Sequence, residues 1–154
     1  MTVMVARFSR EGVEVETDLR PHLEAHWQEL ALYKDEIPLD PDWHSYRIFV
    51  GIGSVRVYTV RLNGTLIGYA LFTVLSRHLH YNHRWAINDI LWIDPEHRNM
   101  GNGNGLCDTF EEDLRREGPI VIHIETKEMH PELAYLLRAR GYGPVGPSFS
   151  KRFA

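Results

Sequence analysis

The pattern of apolar and polar residues is clearest near the middle of the chain, where it predicts a β-hairpin. Residues 55–62 alternate apolar and polar side chains, Asn63 and Gly64 follow, and residues 65–74 form a longer apolar run. Two such runs joined by Asn-Gly are typical of a two-residue hairpin turn. Gly68 interrupts the second run, which indicates a bulge or a close approach of another backbone.

Helical periodicity precedes this hairpin. An apolar stripe behind Asp18, a residue type that caps helix N-termini, predicts a helix that ends near Tyr33. Asp42 can cap a second, shorter helix that ends at Gly51. The apolar stripe of the first helix consists of Leu19, Leu23, Trp27, Leu30 and Ala31.

Strand patterns also occur at both ends of the chain. Residues 3–8 alternate loosely, and residues 13–16 alternate apolar with acidic side chains. We therefore predict a first strand, followed by a short second strand or an extension of the first. Residues 142–145 and 149–153 are predicted to form two last strands.

The stretch 85–117 has the pattern of a strand, a glycine turn and a helix. Its apolar run 86–93 ends before a proline, which lacks the N–H that a strand ladder needs. Gly101, Gly103 and Gly105 follow, and apolar residues then recur at helical spacing. Backbone N–H groups at such a turn face one point, and the helix dipole adds partial positive charge there. The turn is therefore predicted to bind a phosphate or pyrophosphate group.

Two common nucleotide-binding motifs do not fit this turn. No Gly-Lys-Ser/Thr is present, which excludes a nucleoside-triphosphate P-loop. The dinucleotide motif is excluded because Leu106 stands where its last glycine should be. A glycine-rich surface turn without a ligand remains the alternative.

A second buried strand is predicted at 120–125, after the glycine helix. Because a helix of about a dozen residues joins it to the run 86–93, the two strands should be parallel, with a right-handed crossover. A last helix is predicted at 132–140, begun by Pro131 and ended by Gly141.

Composition limits the classes of protein that fit the sequence. With 154 residues, 44% of them hydrophobic and 25% charged, the chain is expected to fold as one domain, 1–154. No run of about 18 apolar residues occurs, so no membrane-spanning helix is predicted. The 17 basic and 21 acidic residues give a net charge of −4, which argues against a nucleic-acid partner bound by a basic patch.

The single cysteine and the first residues bear on the compartment. Cys107 has no partner for an internal disulfide, so a reducing, cytoplasmic setting fits. We expect it to be a buried small apolar side chain rather than a nucleophile. The N-terminus lacks the basic-then-apolar layout of a signal peptide.

Two groups of histidines have the spacing of metal ligands. His22 and His26 are four residues apart on the first predicted helix, but no third ligand is near, so we expect a solvated face. His78, His80 and His83 lie in a polar connection without a cysteine or a firm carboxylate partner. No metal site is predicted, and a role of this connection in lining a pocket or passing a proton stays open.

Residues 93–103 carry a more specific motif. They read Ile-Asp-Pro-Glu-His-Arg-Asn-Met-Gly-Asn-Gly, which places Arg98, Gly101 and Gly103 at the spacing Arg-x-x-Gly-x-Gly. With the strand before it and the helix after it, this stretch resembles motif A of the GNAT superfamily of N-acetyltransferases. The order of predicted elements is similar to that fold over essentially the whole chain. The resemblance implies an α/β fold, with a mixed central sheet of about six or seven strands flanked by about four helices.

The resemblance also implies acetyl-CoA as a co-substrate. In that superfamily the pyrophosphate lies on the amides of the glycine turn, and the pantetheine arm hydrogen-bonds to the central strand. The thioester would lie between strands 86–93 and 120–125, where they splay apart. The cofactor-binding residues so implied are Leu91, Trp92, Ile93, Arg98, Met100, Gly101, Asn102, Gly103, Asn104 and His130.

The implied reaction is direct attack of a neutral amine on the thioester, which needs a base for an ammonium acceptor. Asp89 lies four residues before Ile93, where many superfamily members carry a glutamate that serves as the base. A structural carboxylate that caps a neighbouring backbone is equally open at this position. Asn88 beside it could orient water or substrate.

The acid that protonates the leaving thiolate is missing from its usual place. Leu137 stands where the superfamily carries a proton-donating tyrosine, and Tyr135 should face another way on the helix. His130 replaces the asparagine of the same motif. The candidates for a replacement acid are Tyr81, His80, His83 and His130.

The leading hypothesis is an N-acetyltransferase that acts on a primary amine of a small molecule or a protein. Four acids of the loop 34–43 are either hydrated or form a negative lip that attracts such an amine. The alternative is a weakly active or inactive interaction or virion-associated protein on the same fold, which Leu137 favours and the glycine turn opposes. The chain also resembles small bacteriophage-encoded members, which implies a host cytoplasm; a homodimer stays open.

Overall fold

The computed structural model describes residues 4–154. This part of the chain folds around one five-stranded sheet. Neighbouring strands are antiparallel from the first to the fourth, and the fourth and fifth are parallel. The strands lie side by side in chain order: β1 (Ala6–Glu11), β2 (Val55–Leu62), β3 (Thr65–Leu75), β4 (Arg84–Ile93) and β5 (Ile120–His123).

Four helices cover the two faces of this sheet. They are α1 (Glu16–Leu30), α2 (Trp43–Gly51), α3 (Asn102–Arg115) and α4 (Glu132–Ala139). Side chains of α1 and α2 pack on one face with Tyr69, Leu71 and Trp92. Side chains of α3 and α4 pack on the other face with Ala70 and Phe72, because alternate residues of β3 point to opposite faces. No helix of the described chain is long and apolar enough to cross a membrane.

The central predictions are confirmed. Asn63 and Gly64 both have positive φ angles, as a type I′ turn between β2 and β3 requires. The strands β4 and β5 are parallel across the α3 crossover, and Asp42 caps α2 by accepting a hydrogen bond from the Ser45 amide at 3.0 Å. Cys107 is buried, and its burial raises the pKa of the thiol to about 12.

Gly68 lies at a close approach of three strands, next to a register shift between β2 and β3. A Cβ atom there would lie 2.9 Å from the Trp92 carbonyl oxygen and equally near the Val60 and Ile93 side chains. Gly68→Ala is expected to lower the free energy of unfolding by about 1–3 kcal/mol, because an overpacked core site must shift backbone. Urea unfolding measures this loss. Gly51→Ala is the control, since a Cβ there meets nothing within 4 Å; equal midpoints for both variants would contradict the close packing.

The predictions for the first residues are partly wrong. β1 begins at Ala6, and residue 3 lies outside the described residues. No strand forms at 13–16, because Val15 and Leu19 are one helical turn apart and both are buried under the sheet. Helix α1 therefore begins at Glu16, before the predicted cap Asp18, and it ends at Leu30 rather than near residue 33. The Asp18 carboxylate instead accepts a hydrogen bond from Arg61 at 2.8 Å.

The two last strands, predicted at 142–145 and 149–153, do not form. The sheet of the described chain therefore has five strands rather than six or seven. Glycines and prolines interrupt this tail, and its apolar side chains Val145, Phe149 and Phe153 are 81%, 92% and 80% exposed, so no packing rewards strand pairing. Polar contacts hold the tail instead, and they join Tyr33 to Ser150, Glu36 to Arg152 and Glu125 to Ser148.

Candidate active site

A β-bulge in β4 determines where the polar residues of the central strand lie. Leu71 pairs with Ile90 and Phe72 pairs with Asn88, so Asp89 is the extra residue on β4. The Asn88 side-chain amide donates to the carbonyl oxygens of Leu71 at 3.0 Å and Ile90 at 2.8 Å. Asn88 therefore stabilises the bulge and also lines the cleft described next, and its predicted orientation of water or substrate stays a prediction.

The bulge leaves the Asp89 carboxyl group without a partner. Within residues 4–154 it forms no hydrogen bond or ion pair, and desolvation alone raises its pKa above the ordinary value. A carboxylate that caps a backbone group would show an N–H donor, and none is present in the described chain. The structural alternative for Asp89 therefore loses its support, and the group remains free to accept a proton.

The central strand and its parallel neighbour stop pairing just before the bulge. Pairing runs from Arg84 with Ile120 to Ile87 with His123, while β4 continues to Ile93. This splay opens a cleft of about 440 Å³, which we call the first cleft. Eight of the predicted cofactor-binding residues line it: Leu91, Trp92, Ile93, Arg98, Gly101, Gly103, Asn104 and His130.

The glycine turn closes one end of the first cleft and is well suited to an anion. Gly101 has φ +81°, a left-handed conformation that glycine adopts without strain, and α3 begins at the next residue. The first helical bond runs from the Gly105 amide to the Gly101 carbonyl, and no side chain caps the helix. The amides of residues 102–104 therefore lack helical acceptors. A Cβ at Gly103 would lie 3.1 Å from the Leu136 side chain, so a larger residue here would displace that side chain.

Met100 and Asn102 do not line the first cleft with their side chains. Met100 is exposed, and the side-chain amide of Asn102 donates to the His97 carbonyl at 2.8 Å. That hydrogen bond fixes the turn that leads into α3. The Asn102 side chain is therefore engaged within the turn, whereas the Met100 side chain extends into solvent.

Arg98 is held by a carboxylate that the sequence did not reveal. Its guanidinium forms two hydrogen bonds with Glu29 of α1, at 2.7 and 2.8 Å, and its Nε donates to the Ile93 carbonyl at 2.8 Å. The Trp92 indole also donates to Glu29, at 2.9 Å. The hydrogen bond from Arg98 is the main reason that the pKa of Glu29 falls to about 2. The Arg98 side chain thus ties α1 to the end of β4 while it also lines the first cleft, and its predicted place around a pyrophosphate stays a prediction.

His26 is a second site residue that sequence reasoning missed. It is only 9% exposed, so the predicted solvated face is wrong for this residue. Its Nδ1 lies 2.9 Å from the Tyr69 hydroxyl, and its ring stacks on Trp92. Burial is the main cause that lowers its pKa to about 4, so the imidazole is neutral at pH 7. The spacing held a signal, because His26 lies seven residues after Leu19 and four before Leu30, on the inner stripe.

A second cleft, of about 590 Å³, lies between α1, α2 and the sheet. Of the four loop acids, Asp40 and Asp42 line it, while Asp35 and Glu36 do not. The negative lip is therefore smaller than the loop composition suggested. The residues common to both clefts are His26, Leu30, Asp89, Ile90 and Lys127, so the clefts meet at the bulge.

The structure narrows the choice of acid. Leu137 is buried and Tyr135 is exposed, so Tyr135 faces another way on the helix, as predicted. Tyr81 is 56% exposed, stacks on His78 and lines neither cleft. Tyr81 lies in the loop before β4, whereas the clefts meet near the middle of that strand. Several residues separate the two places, and each residue of a strand adds about 3.3 Å.

The other candidate proton donors also differ in whether they line a cleft. His80 and His83 also line neither cleft, because they belong to the loop that carries Tyr81. His130 lines the first cleft, and Lys127, which belongs to no recognised motif, lines both clefts. Among the described residues, no three histidine, cysteine, aspartate or glutamate side chains are arranged to hold a metal ion.

Solved structures share this fold at low sequence identity. A ribosomal-protein-alanine N-acetyltransferase from Brucella melitensis matches with a TM-score of 0.73 and 16% identity, over 97% of this chain and 100% of that one. An aminoglycoside acetyltransferase from an uncultured soil metagenomic sample matches with a TM-score of 0.78 and 12% identity, over 98% and 100%. A predicted acetyltransferase with acetyl-CoA from Clostridium acetobutylicum matches with a TM-score of 0.66 and 11% identity, over 96% of each chain. These likenesses show the fold.

The sequence itself matches a family as well. No curated protein matches the chain significantly. The model of the acetyltransferase (GNAT) family, however, matches residues 14–142, which include both clefts and the glycine turn. The chain therefore belongs to the acetyltransferase (GNAT) family of N-acetyltransferases, and the GNAT fold expected from its glycine motif is the fold that it has.

Proposed function

We propose that the protein transfers an acetyl group from acetyl-CoA to a primary amine, with Asp89 as the general base. The observation that carries this proposal is the meeting of two clefts at an unpaired carboxyl group. One cleft ends at a helix N-terminus with free amides, and the other is open to an acceptor. Family membership and a structural neighbour with acetyl-CoA support the choice of co-substrate.

The first cleft fits acetyl-CoA. The amides of residues 102–104 would hold the pyrophosphate. The edge of β4 at 91–93, where β5 no longer pairs, would hydrogen-bond to the pantetheine arm, next to the Ile93 carbonyl that accepts from Arg98. Bound acetyl-CoA would supply a thioester whose carbonyl carbon accepts the amine. Arg98 and Asn102 would act indirectly, since their side chains hold the backbone of the turn.

The residues at the junction of the clefts would move the protons. Asp89 removes a proton from the ammonium group, the amine forms the new C–N bond, and the C–S bond breaks. Lys127 and His130 line the first cleft and are our candidates to donate a proton to the departing sulfur. The positive charge of Lys127 would also stabilise the thiolate. Neutral His26 would limit the water near these groups through its packing on Trp92 and Tyr69.

Thermal unfolding with and without acetyl-CoA tests the co-substrate. At about a hundred times Kd, binding adds roughly 2.7 kcal/mol to the stability of the folded state. For a domain of this size we expect the midpoint to rise by about 5–10 °C. ATP and NAD are the control ligands, since their binding motifs are absent from the turn.

A rise that is specific to acetyl-CoA would support the proposal and justify an acceptor screen. No rise with any of the three ligands would contradict it and favour the interaction or virion-associated protein, which the leucine at position 137 also favours. The bacteriophage origin, the host cytoplasm and the homodimer rest on the sequence alone and remain predictions.

A further inference from the structure

The walls of the second cleft are mainly apolar and aromatic. The Trp27, Trp43 and Tyr46 side chains stand on the helix side, and Leu71 and Ile90 form the sheet side. The rings of Trp43 and Tyr46 meet edge to face, with centroids 5.4 Å apart, which is a favoured aromatic geometry. A volume of about 590 Å³ lies in the range of sites that enclose a small organic molecule.

Two polar atoms of the wall residues are turned away from solvent. The indole Nε1 of Trp27 and the hydroxyl of Tyr46 are buried and have no hydrogen-bond partner within the described residues. Burial, with the nearby charges of α1 and its preceding turn, raises the pKa of Tyr46 above the ordinary value, so the hydroxyl stays protonated. These aromatic side chains therefore offer the cleft mainly apolar surface, and a ligand with many hydroxyls would lose hydration there without replacement.

The charges favour a cation at each end of the cleft. Asp89 lies where the second cleft joins the first, and Asp40 and Asp42 lie on the loop that borders it. The hydrogen bonds that Ser45 donates lower the pKa of Asp42, so this carboxyl group is ionised at neutral pH. Lys127 is the opposing positive charge at the junction. An ammonium group would therefore be drawn to the acidic side of the junction, next to the proposed base.

We infer that the acceptor is a primary amine carried on an aromatic or branched aliphatic group, rather than a polyhydroxylated polyamine such as an aminoglycoside. This inference rests on the proposed function, because it assigns the second cleft to the acceptor of the same reaction. The apolar body lies between the aromatic side chains and the sheet, and the ammonium lies at Asp89. The acceptor that we infer is a small molecule. A protein whose N-terminal residue is apolar would present the same amine chemistry.

Binding without acetyl-CoA tests the inference independently of catalysis. Trp27 and Trp43 line the second cleft, so phenethylamine bound there should change the intrinsic fluorescence of the protein. We expect saturable binding of phenethylamine and at least about tenfold weaker binding of kanamycin. A peptide that begins with phenylalanine forms the third arm, and tighter binding of that peptide would move the source to a protein. Equal or tighter binding of kanamycin would overturn the inference.

A charge placed in the cleft gives the sharper test. Ile37 is partly exposed and lines the second cleft, so Ile37→Lys should fold and bring a positive charge toward the ammonium. We expect its Kd for phenethylamine to rise about tenfold, while its thermal shift with acetyl-CoA is unchanged. Ile48→Lys is the matched control, because Ile48 is exposed on α2 and lines neither cleft.

The outcomes separate the two proposals. If Ile37→Lys and Ile48→Lys bind phenethylamine equally well, the amine does not occupy the second cleft and the inference fails. If phenethylamine binds in the cleft but acetyl-CoA gives no thermal shift, the proposed function fails while the binding site stands. If both bind, the kcat/KM for acetylation should be higher for phenethylamine than for kanamycin.

Discussion

Asp89→Asn is expected to lower kcat for acetyl transfer by about 10²–10⁴-fold, the range that a positioned general base supplies. Asparagine keeps the size of the side chain but cannot accept a proton from the acceptor ammonium. The KM for acetyl-CoA should change little, because the amides that would hold it lie at the start of α3. Steady-state kinetics with phenethylamine as acceptor measures both parameters.

The pH dependence of the wild type adds a second readout. Desolvation raises the pKa of Asp89, so protonation should abolish activity at a higher pH than for an ordinary aspartate. The acid limb of the kcat/KM profile should therefore weaken or vanish in Asp89→Asn. A fall in rate without any change in the profile would contradict the role as base.

Stability separates this role from a structural one. A carboxyl group whose pKa is raised by folding contributes stability that is complete below its unfolded pKa, and this contribution is lost as the pH rises through the folded value. Ionisation of Asp89 thus opposes folding, and Asp89→Asn should leave the urea midpoint unchanged or raise it. Asp35→Asn is the control, because Asp35 lies in the exposed loop and lines neither cleft. A lower midpoint for Asp89→Asn would restore the structural alternative.

The parts of the fold that sequence predicted are those fixed by local chemistry. The turn at Asn63 and Gly64 requires positive φ angles, and few residue pairs other than Asn-Gly adopt them readily. The glycine turn before α3 is local in the same sense, because Gly101 and the free amides follow each other in the chain. The tail failed for the opposite reason. Its strand pattern needs a neighbouring edge, and nothing in the sequence tells whether one is near.

Some residues of the candidate site could likewise be selected from local sequence, and others could not. Asp89 could be selected from sequence because an acid inside an apolar strand is costly unless it is used or satisfied. Glu29 could not, since its partner Arg98 is 69 residues away and only the folded chain brings them together. The aromatic wall at Trp27 and Trp43 was also hidden, because an apolar stripe gives the same pattern whether it meets a core or a cleft.

Gly103→Val is expected to weaken acetyl-CoA binding by at least about 100-fold. The substituted Cβ would lie 3.1 Å from the Leu136 side chain and 3.9 Å from that of Ile93, and the two valine methyl groups extend further. Because Gly103, Ile93 and Leu136 all line the first cleft, these methyl groups would reduce the room for a pyrophosphate at the amides of residues 102–104. Loss of two charge-assisted hydrogen bonds, at about 1.5–3 kcal/mol each, corresponds to a factor of that size.

Calorimetric titration with acetyl-CoA measures this loss, and circular dichroism checks the fold. The variant should fold, because the nearest contact is the far end of a leucine side chain that can rotate. Gly143→Val is the matched control, since a Cβ there meets nothing within 4 Å. Gly103→Ala should bind with intermediate affinity, because alanine adds the Cβ without the branched methyl groups. Normal binding by a folded Gly103→Val would mean that the glycine turn is not the pyrophosphate site, and it would leave Asp89 without the thioester that its proposed role requires.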